Sequence, residues 1–207
     1  MFRSSPTNHG VTVPELIVVL AVLATLVGAV VPLWRGVLME RRVERAKQDV
    51  DAIADAIATF RKTVGVWPAM DASGANDSLA VLLSGPRIPA LDPWSGSTRY
   101  WAIAAGSRGD LLNHHLVENR PKGQSTHRYP VHAKRAWRGP YLDACGVDPW
   151  GRPYLVNVLA AYSSAATTDR RLWVLSAGPD GRFQTSSLAR TADRVAGDDI
   201  GSLVWQR

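Results

Sequence analysis

The strongest constraint on this chain is an uncharged run. From Leu16 to Trp34, 19 residues carry no charged side chain, and as a helix rising 1.5 Å per residue they reach about 28 Å, close to the hydrocarbon thickness of a bilayer. One such helix can span a membrane. The run exceeds the apolar core of an ordinary secretory signal, roughly 7–15 residues, and the small residue able to mark a processing site, Gly10, lies before it. A cut there leaves the helix on the mature chain. Glu15 stands at the mouth of the run; a carboxylate at that depth needs either a partner or a place at the headgroup level.

Beyond Pro32 the pattern becomes periodic. Val43, Ala46, Val50, Ile53, Ile57, Phe60 and Val64 recur at alternating steps of three and four, which is one face of a helix. Arg42, Glu44, Arg45, Lys47, Asp51 and Asp55 fall between them and face water. The helix should run from the membrane to about Thr63, with Gly65 and then Pro68 as stop signals. A short apolar helix is predicted around Ser78 to Leu83. The alternation in "YLVNVL" from Tyr154 and "RLWVLSAG" from Arg171 predicts a hairpin. Residues 86–136 read as irregular. The C-terminal stretch is too rich in Gly, Asp and Ser for regular structure, yet it ends on Leu203, Val204 and Trp205, so something must pin it to the domain.

A single cysteine, Cys145, excludes an intramolecular disulfide. The formal charge is +6, with 24 Lys and Arg against 18 Asp and Glu, but no block of five or six cations occurs in a row. Nucleic-acid binding is therefore permitted rather than indicated, and binding to anionic lipid equally so. Four of the five histidines, His114, His115, His127 and His132, lie in a basic segment from Arg108 to Arg138. Their spacing matches no compact zinc pattern, and a solvated surface insertion is the expectation.

Two loops carry chemistry. In Asp148-Pro149-Trp150-Gly151 the proline presets a turn, the aspartate can hold backbone N–H groups, and the glycine lets the chain turn back toward Tyr154. Asp180, Asp198 and Asp199 lie close to glycines in turn-rich sequence. Such carboxylates suit a hard cation such as calcium, which takes six to eight oxygen ligands and removes the repulsion among them.

The segment "GVTVPEL" followed by the apolar run resembles the type IV prepilin signal shared by type IV pilins and type II secretion pseudopilins. "GPYL" at Gly139, "DPWGRPY" at Asp148 and the acidic C-terminal loop are similar to the major pseudopilin family of type II secretion, as are "GVWP" at Gly65 and "SLAVLLSGP" at Ser78. The resemblance covers residues 10–85 and 137–201. It implies an α+β, pilin-like fold: a long N-terminal helix, transmembrane in its first half, packed on a small antiparallel C-terminal sheet. The implied organisation is a leader at 1–10, a membrane and filament-core helix at 11–34, its amphipathic continuation at 35–64, and a globular domain at 65–207 with an insertion at 87–136.

The same resemblance implies cleavage by prepilin peptidase between Gly10 and Val11, N-methylation of Val11, and assembly roles for Glu15 and Pro32. In this family the glutamate neutralises the terminal amine of a neighbouring subunit. Pro14 beside it is compatible with a helix's first turn, whose N–H groups have no intrahelical acceptor. Calcium would be held by Asp180, Asp198 and Asp199, with carbonyls of Ala177 and Arg182. The implied partners are further copies of the chain in a periplasmic filament, minor pseudopilins, an inner-membrane assembly platform and the membrane itself. No catalysis and no nucleic-acid partner are expected. Arg35, Arg41, Arg42, Arg45 and Lys47 follow the span whereas the leader holds Arg3, so the positive-inside rule alone would orient the domain to the cytoplasm; the resemblance orients it to the periplasm, and that orientation is the expectation. The alternatives are a type IV or DNA-uptake pilin subunit and, in another class, a membrane-anchored periplasmic metal-binding protein or enzyme using the His-bearing segment.

Overall fold

A computed structural model of the chain describes residues 11–76, 78–89, 94, 108–161, 171–185 and 194–206, with the side chains of 28–35 excepted. Helix α1 spans Val13–Val64, one residue past the predicted end, and Gly65 follows it in the left-handed region at φ 88°. The chain divides into two units, Met1–Arg41 and Arg42–Arg207.

The first unit contributes the N-terminal part of α1. Leu16, Ile17, Val18, Val19, Leu20, Val22, Leu23, Leu26 and Val27 are all exposed. Among the described residues no helix is long and apolar enough to cross a membrane. Of the uncharged run, only Leu16 to Val27 has described side chains, about 18 Å of helix.

The second unit holds the core. Strands β1 (Val81–Leu83), β2 (Gly109–Leu111), β3 (Leu155–Val156), β4 (Arg171–Ser176) and β5 (Ile200–Gln206) form one sheet in the order β2-β1-β3-β4-β5. A short helix α2 (Leu112–Leu116) follows β2 directly. The sheet was expected to be antiparallel; it is so through β1, β3, β4 and β5, but β1 and β2 pair in parallel. The predicted hairpin forms, with Leu155 opposite Leu175 and Val156 opposite Val174.

Both sheet faces are buried. Leu82, Val156, Leu172 and Val174 pack with Ala46, Val50, Ile53, Ile57, Phe60 and Val64 of α1, the stripe read from the sequence. Val81, Leu83, Leu155, Trp173 and Leu175 point the other way and pack with Trp94 and Phe183. This double burial explains the strands' nearly continuous apolar sequence, since neither face needs polar residues. Polar ties reinforce the helix seat: the Tyr154 hydroxyl donates to Asp49 Oδ2 at 2.8 Å, and the Thr63 and Tyr141 hydroxyls lie 2.7 Å apart.

Three sequence expectations are corrected. Ser78 to Leu83 is no helix: Val81–Leu83 is an interior strand of the sheet, because a five-residue apolar run fits a buried strand as well as a helix turn. The C-terminal stretch is regular over Ile200–Gln206, paired with all of β4, which is what pins the loop before it. Residues 108–136 of the 87–136 insertion are built into the domain: Leu111, Leu112, His115, Leu116 and Tyr129 are buried.

Candidate functional site

The turn at Asp148 is a buried knot. Its side chain is 3% exposed; Oδ1 accepts the backbone N–H groups of Trp150 at 3.0 Å and Arg152 at 2.8 Å, and Oδ2 accepts the Ser176 hydroxyl at 2.8 Å. Gly151 sits at φ 84° and its N–H reaches the Asp148 carbonyl, closing the turn. The Ser176 oxygen in turn accepts Gly178 N–H at 3.2 Å, and an Arg152 guanidinium nitrogen donates to the Gly178 carbonyl at 3.3 Å. The proline turn thus fixes where strand β4 leaves the sheet and the acidic loop begins. Gly178 is required there: a Cβ would lie 2.1 Å from the Asp198 carbonyl oxygen.

The loop brings Asp180 and Asp198 together. Gln184 donates its side-chain amide to Asp180 Oδ2 and Asp198 Oδ1, both at 2.8 Å, and Asp180 N–H reaches Asp198 Oδ2 at 3.1 Å. One amide NH₂ therefore lies between two carboxylates. Asp199 is turned inward: its Oδ2 accepts Gln184 N–H at 3.0 Å and Thr185 N–H at 2.6 Å, while Oδ1 is buried with no partner. Burial pushes the Asp199 carboxyl up to about 6 against those hydrogen bonds, with repulsion from Asp198 adding to the rise. Among the described residues no group of three or more His, Cys, Asp or Glu side chains forms a ready metal cage. Ala177 is fully buried, and Arg182 donates its N–H to Asp180 Oδ1 at 2.7 Å. The buried Asp199 Oδ1 is thus an oxygen without a partner, whereas Asp180 and Asp198 are held by Gln184 and by backbone N–H groups.

At the N-terminus, Gly10 lies outside the described residues, and Pro32 lies in α1 among those whose side chains are not described. Glu15 has a local role that the sequence reading missed. Its Oε2 accepts the Thr12 N–H at 2.9 Å and the Thr12 hydroxyl at 2.7 Å. Thr12-x-x-Glu15 has capping-box spacing, with Thr12 at the N-cap and Glu15 at N3, and the glutamate half of the box is made; the spacing alone was the signal.

The histidine segment is a structural network. The buried Asp110 accepts His114 Nδ1 at 2.7 Å on Oδ1, and His115 Nε2 at 2.9 Å and Lys122 N–H at 2.6 Å on Oδ2. The Nδ1 of His115 lies 2.8 Å from the Tyr129 hydroxyl, which accepts Met70 N–H. A neutral His115 with its proton on Nε2 satisfies both contacts, donating to Asp110 Oδ2 and accepting the Tyr129 hydroxyl at Nδ1. His127 and His132 are exposed and away from this cluster. Loss of hydration holds the His115 imidazole below its ordinary 6.5 despite the attraction of Asp110. Burial pushes Asp110 up, but hydrogen bonds from His114 and His115 and from Lys122 N–H more than offset it, leaving the carboxyl well below 3.8.

The signs agree. A base with a depressed pKa stabilises the fold above its unfolded value, and this contribution is lost as pH falls below 6.5; the Asp110 contribution is present above 3.8 and lost below it. Stability, read as Tm, should therefore fall between pH 6.5 and 5.5, because the unfolded chain takes up a proton that the buried His115 withholds. His115→Gln should flatten the Tm profile over that interval, as read by circular dichroism.

Comparison with known families gives one match: residues 122–192, about a third of the chain, fit the family model of the type II secretion system (T2SS) protein G. The matched segment contains the Asp148 knot, β3, β4 and Asp180. It begins inside the predicted insertion and ends before Asp198 and Asp199. No curated protein and no solved structure matches the chain.

Proposed function

We propose that the chain is a structural subunit of a type II secretion pseudopilus. The observation that carries this reading is the family match across the Asp148 knot, the segment that aims the acidic loop. The N-terminal sequence supports it. Prepilin peptidase cuts between Gly10 and Val11 and methylates the new amine, and the apolar helix stores the subunit in the inner membrane with its domain in the periplasm. The exposed apolar side chains from Leu16 to Val27 cannot remain in water as one contiguous surface. Lipid covers them before assembly, and neighbouring copies and minor pseudopilins cover them within the filament. On assembly, Glu15 exchanges its Thr12 hydrogen bonds for the amine of a neighbouring Val11. No catalytic step is assigned to the chain.

Calcium belongs to the same reading. Asp180 and Asp198 would give it side-chain oxygens once Gln184 turns away, Asp199 would give Oδ1, and Ala177 and Arg182 would give carbonyls. The ion supplies positive charge that offsets the repulsion among these carboxylates. Binding to the folded state alone stabilises it by about 2.7 kcal/mol at a hundredfold excess over Kd, or about 5–11 °C. Millimolar calcium should therefore raise Tm by that amount, and Asp198→Ala should abolish the shift. A wild-type melting curve indifferent to calcium would remove the ion from the account.

A further inference from the structure

The cations form no block in the sequence, but the fold gathers them. Between Asn119 and Leu142 there are six Lys and Arg residues and no acidic residue. This segment wraps the C-terminal end of α1. Ala136 N–H takes the Thr63 carbonyl at 3.1 Å, the Arg135 side chain lies against Gly65, and Trp137 N–H returns to the Pro130 carbonyl at 2.7 Å. The loop is held rigidly: Asn119 pairs with both the N–H and the carbonyl of Tyr129 at 2.9 and 3.0 Å, and Trp137 Nε1 donates to the His115 carbonyl. The loop thereby brings the backbone that carries Lys134, Arg135 and Arg138 to the last helical turn, which carries Arg61 and Lys62. Among the described residues none of these five cations has an acidic partner; Arg61 lies over the Trp67 ring, 5.3 Å from its centroid.

A helix C-terminus rewards one or two cations by about 0.3–1 kcal/mol each, which does not account for five. We infer that this cluster binds the phosphodiester backbone of a nucleic acid. A membrane surface fits less well. Stable adsorption to anionic lipid adds an inserted apolar face to the charge, and the large exposed apolar residues of these segments are Val66 and Val131. An acidic protein also fits less well, since a specific protein interface of about 800 Å² per partner needs a desolvated apolar centre, and the large exposed apolar residues in these segments are Val66 and Val131. Cations without an acidic partner or an apolar pocket, Lys62, Lys134, Arg135 and Arg138 exposed and Arg61 half-buried over the Trp67 ring, suit sequence-independent phosphate contact. The inference does not rest on the pseudopilin reading.

The test is anisotropy of a short labelled DNA duplex titrated with the full-length protein in non-ionic detergent over 50–200 mM salt. Five phosphate contacts predict a slope of log K against log salt of about −4.5, and an affinity loss of about 500-fold across that range. The Lys134→Gln/Arg138→Gln double variant should lower the slope by about 2 on every duplex sequence without moving Tm. Lys62→Gln, on the exposed helix surface, should lower it by about 1 independently of the loop. The inference is overturned by absent or salt-independent binding, or by slopes unchanged in both variants. Displacement of the duplex by poly-glutamate or by phosphatidylglycerol micelles at lower charge concentration than by unlabelled DNA would likewise overturn it, in favour of a protein or lipid partner.

Discussion

Asp110→Ala is expected to lower the stability of the domain by about 3–5 kcal/mol, within the range for two buried donors left without their acceptor. The size follows from what the carboxylate holds: His114, the fully buried His115, and the N–H groups of Leu111 and Lys122. With it gone, His115 Nε2–H and the Lys122 N–H lose their acceptor, and each uncompensated donor costs about 1–3 kcal/mol. Because His115 leads on to Tyr129 and Met70, the change loosens β2, α2 and the loop that wraps α1 together. Tm should fall by roughly 6–20 °C. Asp110→Asn, which keeps one acceptor oxygen, should lose clearly less. A Tm within 2 °C of wild type for Asp110→Ala would show that the network is not structural.

Phe60→Ala should cost about 3–5 kcal/mol, the range for large aromatic truncations in a core. Phe60 is fully buried on α1 and meets Tyr129 edge-on at 4.8 Å and Tyr141 at 5.4 Å. The cavity would open where the helix, the wrapping loop and the Tyr141 segment join, so collapse of one element cannot fill it. Thr59→Ala, exposed one residue away, should change stability by under about 0.5 kcal/mol. Chemical denaturation of both variants in detergent measures the contrast; equal midpoints would mean that α1 is not seated on this core.

The helix face was legible because seven apolar residues from Val43 to Val64 keep the 3.6-residue period without exception, and the periodicity survives any detail of what they pack on. The β3–β4 hairpin was legible from the strand-like pattern of "YLVNVL" and "RLWVLSAG". β1 was not, because "LAVLL" carries no period and its true neighbours, Gly109 to Leu111 and Leu155 to Val156, are remote in sequence. β5 was hidden by Gly201 and Ser202, which an edge strand tolerates because one side of its ladder is open. The Asp148 turn was marked by its proline and glycine, but its tether to Ser176 spans 28 residues and leaves no local trace. Gln184, which lies between the two aspartates, gave no signal at all; a lone glutamine in a loop is unremarkable until the chain folds back on it. The Asp110 network was missed for the same reason, its members at Met70, His115 and Tyr129 being brought together only by the fold.

The account's central claim is a filament subunit released by a cut before its apolar helix. Intact-mass and N-terminal peptide mass spectrometry of the chain, produced in a host with an active prepilin peptidase, tests it most directly. The predicted mature protein begins at Val11 and carries one methyl group on that amine. A chain that still begins at Met1, or that has been cut on the far side of the apolar run, would contradict it.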